Sequence, residues 1–161
     1  MTRGVPFLDL AAQQAEVVEE ILPAWRQQLA SAAFIGGPEV TRFEQEYADY
    51  LGVAHVVGVS NGTDALELAY RAAGVTAGDE VIMPANTFIA TAEAVSRIGA
   101  VPVFVDVDDE YLLIDPNAIE AAITPRTRVI VPVHLYGQTA PMEHILSIAD
   151  RHGLTVVEDA A

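Results

Sequence analysis

Residues 128–133 read RVIVPV, a run in which nothing polar follows the arginine. A strand with one solvated face alternates apolar and polar residues, whereas a strand covered on both faces is apolar throughout, as in a parallel sheet between helices. Working outward, similar runs occur at His55–Val59, Glu80–Pro84, Val101–Val105 and Leu154–Val157, separated by stretches of helical spacing. This alternation predicts βαβ units: an α/β fold with a mostly parallel sheet and helices on both faces.

The intervening segments carry helix signals. Asp115 and Pro116 read as an N-cap and first helical residue, with Ile119, Ala122 and Ile123 as the apolar stripe behind them. Pro141 opens another helix, with Met142, Ile145, Leu146 and Ala149 on one face and Gly153 closing it. Residues 63–74 present Ala65, Leu66, Ala69, Ala72 and Ala73, small side chains suited to close packing on a sheet. Before His55 no strand is read. AAQQAEVVEEILPAWRQQLASAAF predicts a helix broken or kinked near Pro23, and GGPEVTRFEQEYADYLG a glycine turn and a second helix from Pro38 to just before Gly52. The expected organisation is an N-terminal helical segment over 1–52 and a sheet domain over 53–161.

The chain has 161 residues, of which 52% are hydrophobic, enough for one sizeable core. With 23 acidic and 8 basic residues its net charge of −15 is repelled by nucleic-acid phosphates and by anionic membrane surfaces, so neither is expected as a partner. There is no cysteine, which removes disulfides and thiolate metal ligands. No apolar run suits a secretory signal or a bilayer span, and the expectation is a cytoplasmic protein. All eight basic residues are arginines; the chain contains no lysine.

Chemistry is expected beyond the carboxyl ends of the strands, where open α/β sheets bind ligands. In VVGVSNGTDALELA a strand breaks at Ser60-Asn61-Gly62 and a helix opens at Thr63. Free amides at that start, with Gly62 and the Thr63 hydroxyl, suit a phosphate; a capped helix after an Asx turn is the alternative. In IMPANTFIATA, Phe88 emerges on the same rim, either to stack on a flat ring or to join the core. VVEDAA places Asp159 there too, and a buried carboxylate needs a partner. Without a lysine, and with Arg151 on the preceding helix, the economical partner is a protonated ring nitrogen of a cofactor. Glu158 points to the other face. His134, Tyr136 and Gln138 in PVHLYGQTAPM reach the rim as well, with His134 read as catalytic or as a hydrogen-bonded structural residue. The run DVDDEYLLIDPN has Tyr111 where a calcium loop needs glycine, and is read as an acidic loop with no metal.

Together FIGGPEV, SNGTDAL, GDEVIMPANTFIAT, GAVPVFVDVD, ITPRTRVIVPVHLYGQ and VVEDAA resemble the DegT/DnrJ/EryC1/StrS family of sugar aminotransferases, from about Pro6 to the last residue. The resemblance implies part of the large domain of the type I (aspartate aminotransferase) fold, pyridoxal 5′-phosphate (PLP) as cofactor and a homodimer. It also implies transfer of an amino group from glutamate or glutamine to a nucleotide-linked keto sugar. It assigns Gly62 and Thr63 to the phosphate cup, Phe88 to stacking on the pyridine ring and Asp159 to the ring nitrogen.

One departure is plain. The family's Schiff-base lysine lies downstream of the EDA motif, so no catalytic residue of that kind is present, and the 161 residues alone are expected to be inactive. They are also expected to lack the small domain and the later strands, leaving an unpaired sheet edge. Two alternatives stay open: a dehydratase of the same family that uses pyridoxamine 5′-phosphate (PMP), in which a histidine replaces the lysine, and a non-catalytic fragment with a binding or assembly role.

Overall fold

A computed structural model describes residues 4–6 and 8–161, which divide into two compact units meeting in sequence at Gly58 and Val59. The first carries α1 (Leu10–Ser31) and α2 (Pro38–Leu51). Asp9 caps α1 by accepting from the Ala12 amide at 3.0 Å. The helix predicted to break or kink near Pro23 runs through it unbroken. A proline there removes one donor, that for the Glu19 carbonyl, and Glu19 is an exposed residue, so that loss falls on the solvent side of the helix. The start of α2 follows Gly37 at φ 97, a backbone region that glycine enters without strain, and the helix ends at Gly52 as predicted. Phe43, Tyr47 and Tyr50, spaced by four and three residues, stack along it with centroids 5.4 and 6.1 Å apart.

The expected strand His55–Val59 does not form. A strand exists by exchanging ladder bonds, and no partner lies beside this run among the described residues. The Gly58 amide instead donates to Glu44 Oε1 at 2.8 Å.

The second unit carries α3 (Gly62–Ala72), β1 (Glu80–Pro84), α4 (Ala90–Arg97), β2 (Val101–Val105), α5 (Pro116–Ala122), β3 (Thr127–Ile130), α6 (Met142–His152) and β4 (Thr155–Val156). The strands form one parallel sheet in the order β2-β1-β3-β4, with Glu80 opposite Val101 and Val129 opposite Thr155. Val81, Met83, Val129 and Val131 turn to one face, against Leu66, Tyr70 and Val95 of α3 and α4. Ile82 and Ile130 turn to the other, against Ile119 of α5 and Ile145 and Ile148 of α6. Both faces are therefore dry, which is why RVIVPV carries no polar alternation, and burial of each such aliphatic side chain contributes about 1.5–3 kcal/mol. All five residues of β1 are buried, while β2 at the sheet edge leaves Val101 and Phe104 exposed.

The ladder of β3 stops at Ile130, short of the expected Val133, because Pro132 has no amide to give. Pairing nonetheless continues through a parallel bridge between Val133 and Asp159, in which the Asp159 amide donates to the Pro132 carbonyl at 2.9 Å and the His134 amide to the Asp159 carbonyl at 3.0 Å. At the opposite end of the sheet Glu80 is a buried carboxylate held by the Thr124 hydroxyl, by Arg126 Nε at 3.0 Å and by the Thr127 hydroxyl at 3.5 Å. No helix among the described residues is long and apolar enough to cross a membrane.

Candidate functional site

The carboxyl ends of β1, β3 and β4 and the start of α3 border one cleft of about 230 Å³. Gly62 and Thr63 enter it from α3, Thr87 and Phe88 from the turn after β1, Val133 and Leu135 from the segment after β3, and Asp159 from the residues after β4. The four residues singled out in the sequence thus share one wall-to-wall site.

At the α3 start the capped-helix reading of SNGT is what the structure shows, and it leaves amides over. Asn61 caps the helix, its Oδ1 accepting from the Asp64 amide at 2.9 Å. The amides of Gly62 and Thr63 donate to no partner among the described residues, so two donors and the positive end of the helix dipole remain for an anion. Asp64 does not line this cleft. Its carboxylate takes hydrogen bonds from Ser60, from Asn61 Nδ2 at 3.1 Å and from Arg97 at 3.2 Å. The Ser60 bond foremost, then Asn61 and Arg97, hold Asp64 below the usual carboxylate range against desolvation.

Phe88 precedes α4 and is 76% exposed, so its ring is free to cover a ligand and is not core. Asp159 is 8% exposed. Its Oδ2 accepts from the Thr91 hydroxyl at 2.8 Å and its Oδ1 from the Ala161 amide at 3.2 Å. These partners are neutral, and Asp159 makes no ion pair among the described residues. A carboxylate has about four acceptor positions, so a cationic N–H brought into the cleft has both charge and lone pairs to meet.

The other rim residues act elsewhere. His134 Nδ1 accepts from the Ala140 amide at 3.1 Å, which places the ring proton on Nε2, 2.8 Å from Glu158 Oε2. Both nitrogens are committed, in accord with the structural reading of His134. Tyr136 sits at φ 60 with its hydroxyl 3.3 Å from Asn86 Nδ2, and Gln138 lines a separate cleft of about 350 Å³ with Tyr111, Leu113 and His144. Asp108 closes the acidic loop by accepting from the Glu110 and Tyr111 amides at 3.0 and 2.7 Å, an Asx-type turn.

Sequence reasoning missed Thr87, Thr91 and Tyr70. Thr87 Oγ1 lies 2.8 Å from Thr91 Oγ1, and the Tyr70 hydroxyl donates to the Thr91 carbonyl at 3.3 Å. Burial, then the charge of Asp159, pushes the Tyr70 phenol well above its ordinary range, so it stays a neutral donor. The available signal was Thr87 and Thr91 four residues apart in a segment otherwise dominated by alanine.

An open parallel α/β sheet with a ligand cleft beyond the carboxyl ends of its strands defines the class. The chain belongs to the DegT/DnrJ/EryC1/StrS aminotransferase family, whose sequence profile matches residues 15–161. It is 53% identical over 158 residues to UDP-N-acetyl-3-dehydro-alpha-D-glucosamine 3-aminotransferase of Acidithiobacillus ferrooxidans, covering 98% of this chain and 43% of that protein. DesV from S. venezuelae superposes with a TM-score of 0.96 at 49% identity, covering 99% of this chain and 43% of that one. NtdA from Bacillus subtilis with bound cofactor PMP superposes with a TM-score of 0.93 at 44% identity, covering 99% and 38%. The fold is accordingly part of the type I aminotransferase large domain. The chain spans less than half the length of these relatives.

Proposed function

We propose that this chain is the N-terminal, cofactor-binding part of a PLP-dependent aminotransferase acting on a nucleotide-linked keto sugar in amino-sugar biosynthesis. The observation that carries the reading is the convergence of Gly62, Thr63, Phe88 and Asp159 on one cleft. The free amides of Gly62 and Thr63 and the Thr63 hydroxyl hold the phosphate, Phe88 covers a face of the ring, and Asp159 pairs with the ring nitrogen and keeps it protonated. When bound, the cofactor supplies an electron sink for amino-group transfer. Leu66, Val133 and Leu135 shield the ring from water, which strengthens the Asp159 interaction by lowering the local dielectric.

With no lysine, these residues hold the cofactor without attaching it, and the amine and proton carrier of the reaction belong to residues outside the 161. The alignment with sugar aminotransferases over less than half of their length fits this division of labour. The amino donor is glutamate or glutamine, and the complete protein is a cytoplasmic homodimer, with residues 53–161 in its PLP-binding domain. Isothermal titration of the chain with PMP tests the reading. Saturable binding with one molecule per chain is expected, and its absence overturns the reading.

A further inference from the structure

Thr91, the second residue of α4, is fully buried, and its hydroxyl bonds away from the helix's own backbone. Ser96, deeper in the same helix, bonds the carbonyl four residues back, that of Ala92, at 3.1 Å. Thr91 turns instead to Asp159, 68 residues away in sequence, at 2.8 Å. A hydroxyl has one proton to give. Since that proton goes to the carboxylate, the contact between Thr87 and Thr91 must run from the Thr87 hydroxyl as donor, which gives Thr87 → Thr91 → Asp159 a single polarity from the cleft wall to the charge. The backbone of Thr91 is pinned too: its amide donates to the Phe88 carbonyl at 3.2 Å and its carbonyl accepts from Tyr70.

We infer that Thr91 is a positioning residue for the cofactor's ring nitrogen: it fixes the Asp159 side chain, with Thr87 as the outer link, so that the carboxylate is pre-aimed before any ligand enters. This rests on the reading of the cleft as a PLP site. Preorganisation of a buried charge by a neutral donor strengthens one directed interaction without adding a competing cation. A ligand with a pyridine nitrogen benefits, and one without it does not.

The test compares PMP with its analogue in which CH replaces the ring nitrogen, on the wild-type chain, Thr91→Val and Thr91→Ser. Valine keeps the shape and removes the hydroxyl; serine restores the donor. The expected result is an affinity for PMP lowered about tenfold by Thr91→Val, or ~1.4 kcal/mol, an unchanged affinity for the analogue, and recovery in Thr91→Ser. A crystal structure of Thr91→Val without ligand is expected to show the Asp159 carboxylate displaced. Equal loss for both probes, or an Asp159 side chain left in place, overturns the inference. If the wild-type chain binds neither probe, the cofactor reading fails, and the position of Asp159 in the Thr91→Val crystal still decides the positioning role.

Discussion

Glu80→Gln perturbs the foot of the sheet while leaving the cleft at the other end of the strands untouched. Glu80 accepts from Thr124 and Thr127 hydroxyls and from Arg126, whose side chain is 69% exposed. Hydrogen bonds to a charged group contribute about 1.5–3 kcal/mol and neutral ones about 0.5–1.5. The Arg126 share is screened by solvent, so the two threonine bonds set the loss, about 1–1.5 kcal/mol each and about 2–3 kcal/mol together. For a chain of this size that lowers Tm by about 4–12 °C. The Thr124 bond, followed by Arg126, holds the Glu80 carboxyl below its ordinary value of 4.5 against desolvation. Its folded form therefore favours the charge: the contribution is complete above 4.5 and is lost as pH falls through the depressed folded value. Thermal unfolding of both chains, followed by circular dichroism from neutral to acid pH, should show a gap in Tm that is widest at neutral pH and closes in acid. A gap that persists unchanged into acid, or none at neutral pH, refutes the reasoning.

Asp159→Asn keeps the shape and removes the charge; PMP affinity should fall by about 10–150-fold, the loss of one charge-assisted bond, measured by calorimetric titration. Thr63→Val should weaken PMP by about tenfold yet leave pyridoxamine, which has no phosphate, unaffected, and a parallel loss of both would disprove the phosphate role. Phe88→Ala should change unfolding stability by less than about 0.5 kcal/mol because the ring is exposed. The same change should weaken PMP binding by about 0.5–1.5 kcal/mol.

The sheet was legible where sequence and environment agree. RVIVPV and EVIMP show the continuous apolar pattern of doubly covered strands, whereas VPVFV shows it and is half-exposed at the sheet edge; Asp115-Pro116 and Gly153 mark helix ends that the structure reproduces. His55–Val59 has the same composition and fails, because composition records a side chain's preference for burial while a strand also needs a neighbouring backbone. The meeting of Gly62, Thr63, Phe88 and Asp159 at one cleft was legible because each stands at a strand or helix end. Thr91 was not, since a buried hydroxyl is indistinguishable in sequence from a helix residue bonded to its own backbone. Its partner 68 positions away appears only after β1 and β4 are placed in one sheet.

The bridge between Val133 and Asp159 fixes which of two neighbouring acids faces the cleft. Side chains along a strand alternate faces, so a slip of one residue would present Glu158 in place of Asp159. The cleft would still contain a carboxylate, one methylene longer and out of step with the Thr91 hydroxyl. A mispaired chain would then look correctly charged and yet be wrongly aimed, and β4, only two residues long, shares that choice with the Val157 amide on the Ile130 carbonyl and the two backbone bonds of the rim bridge.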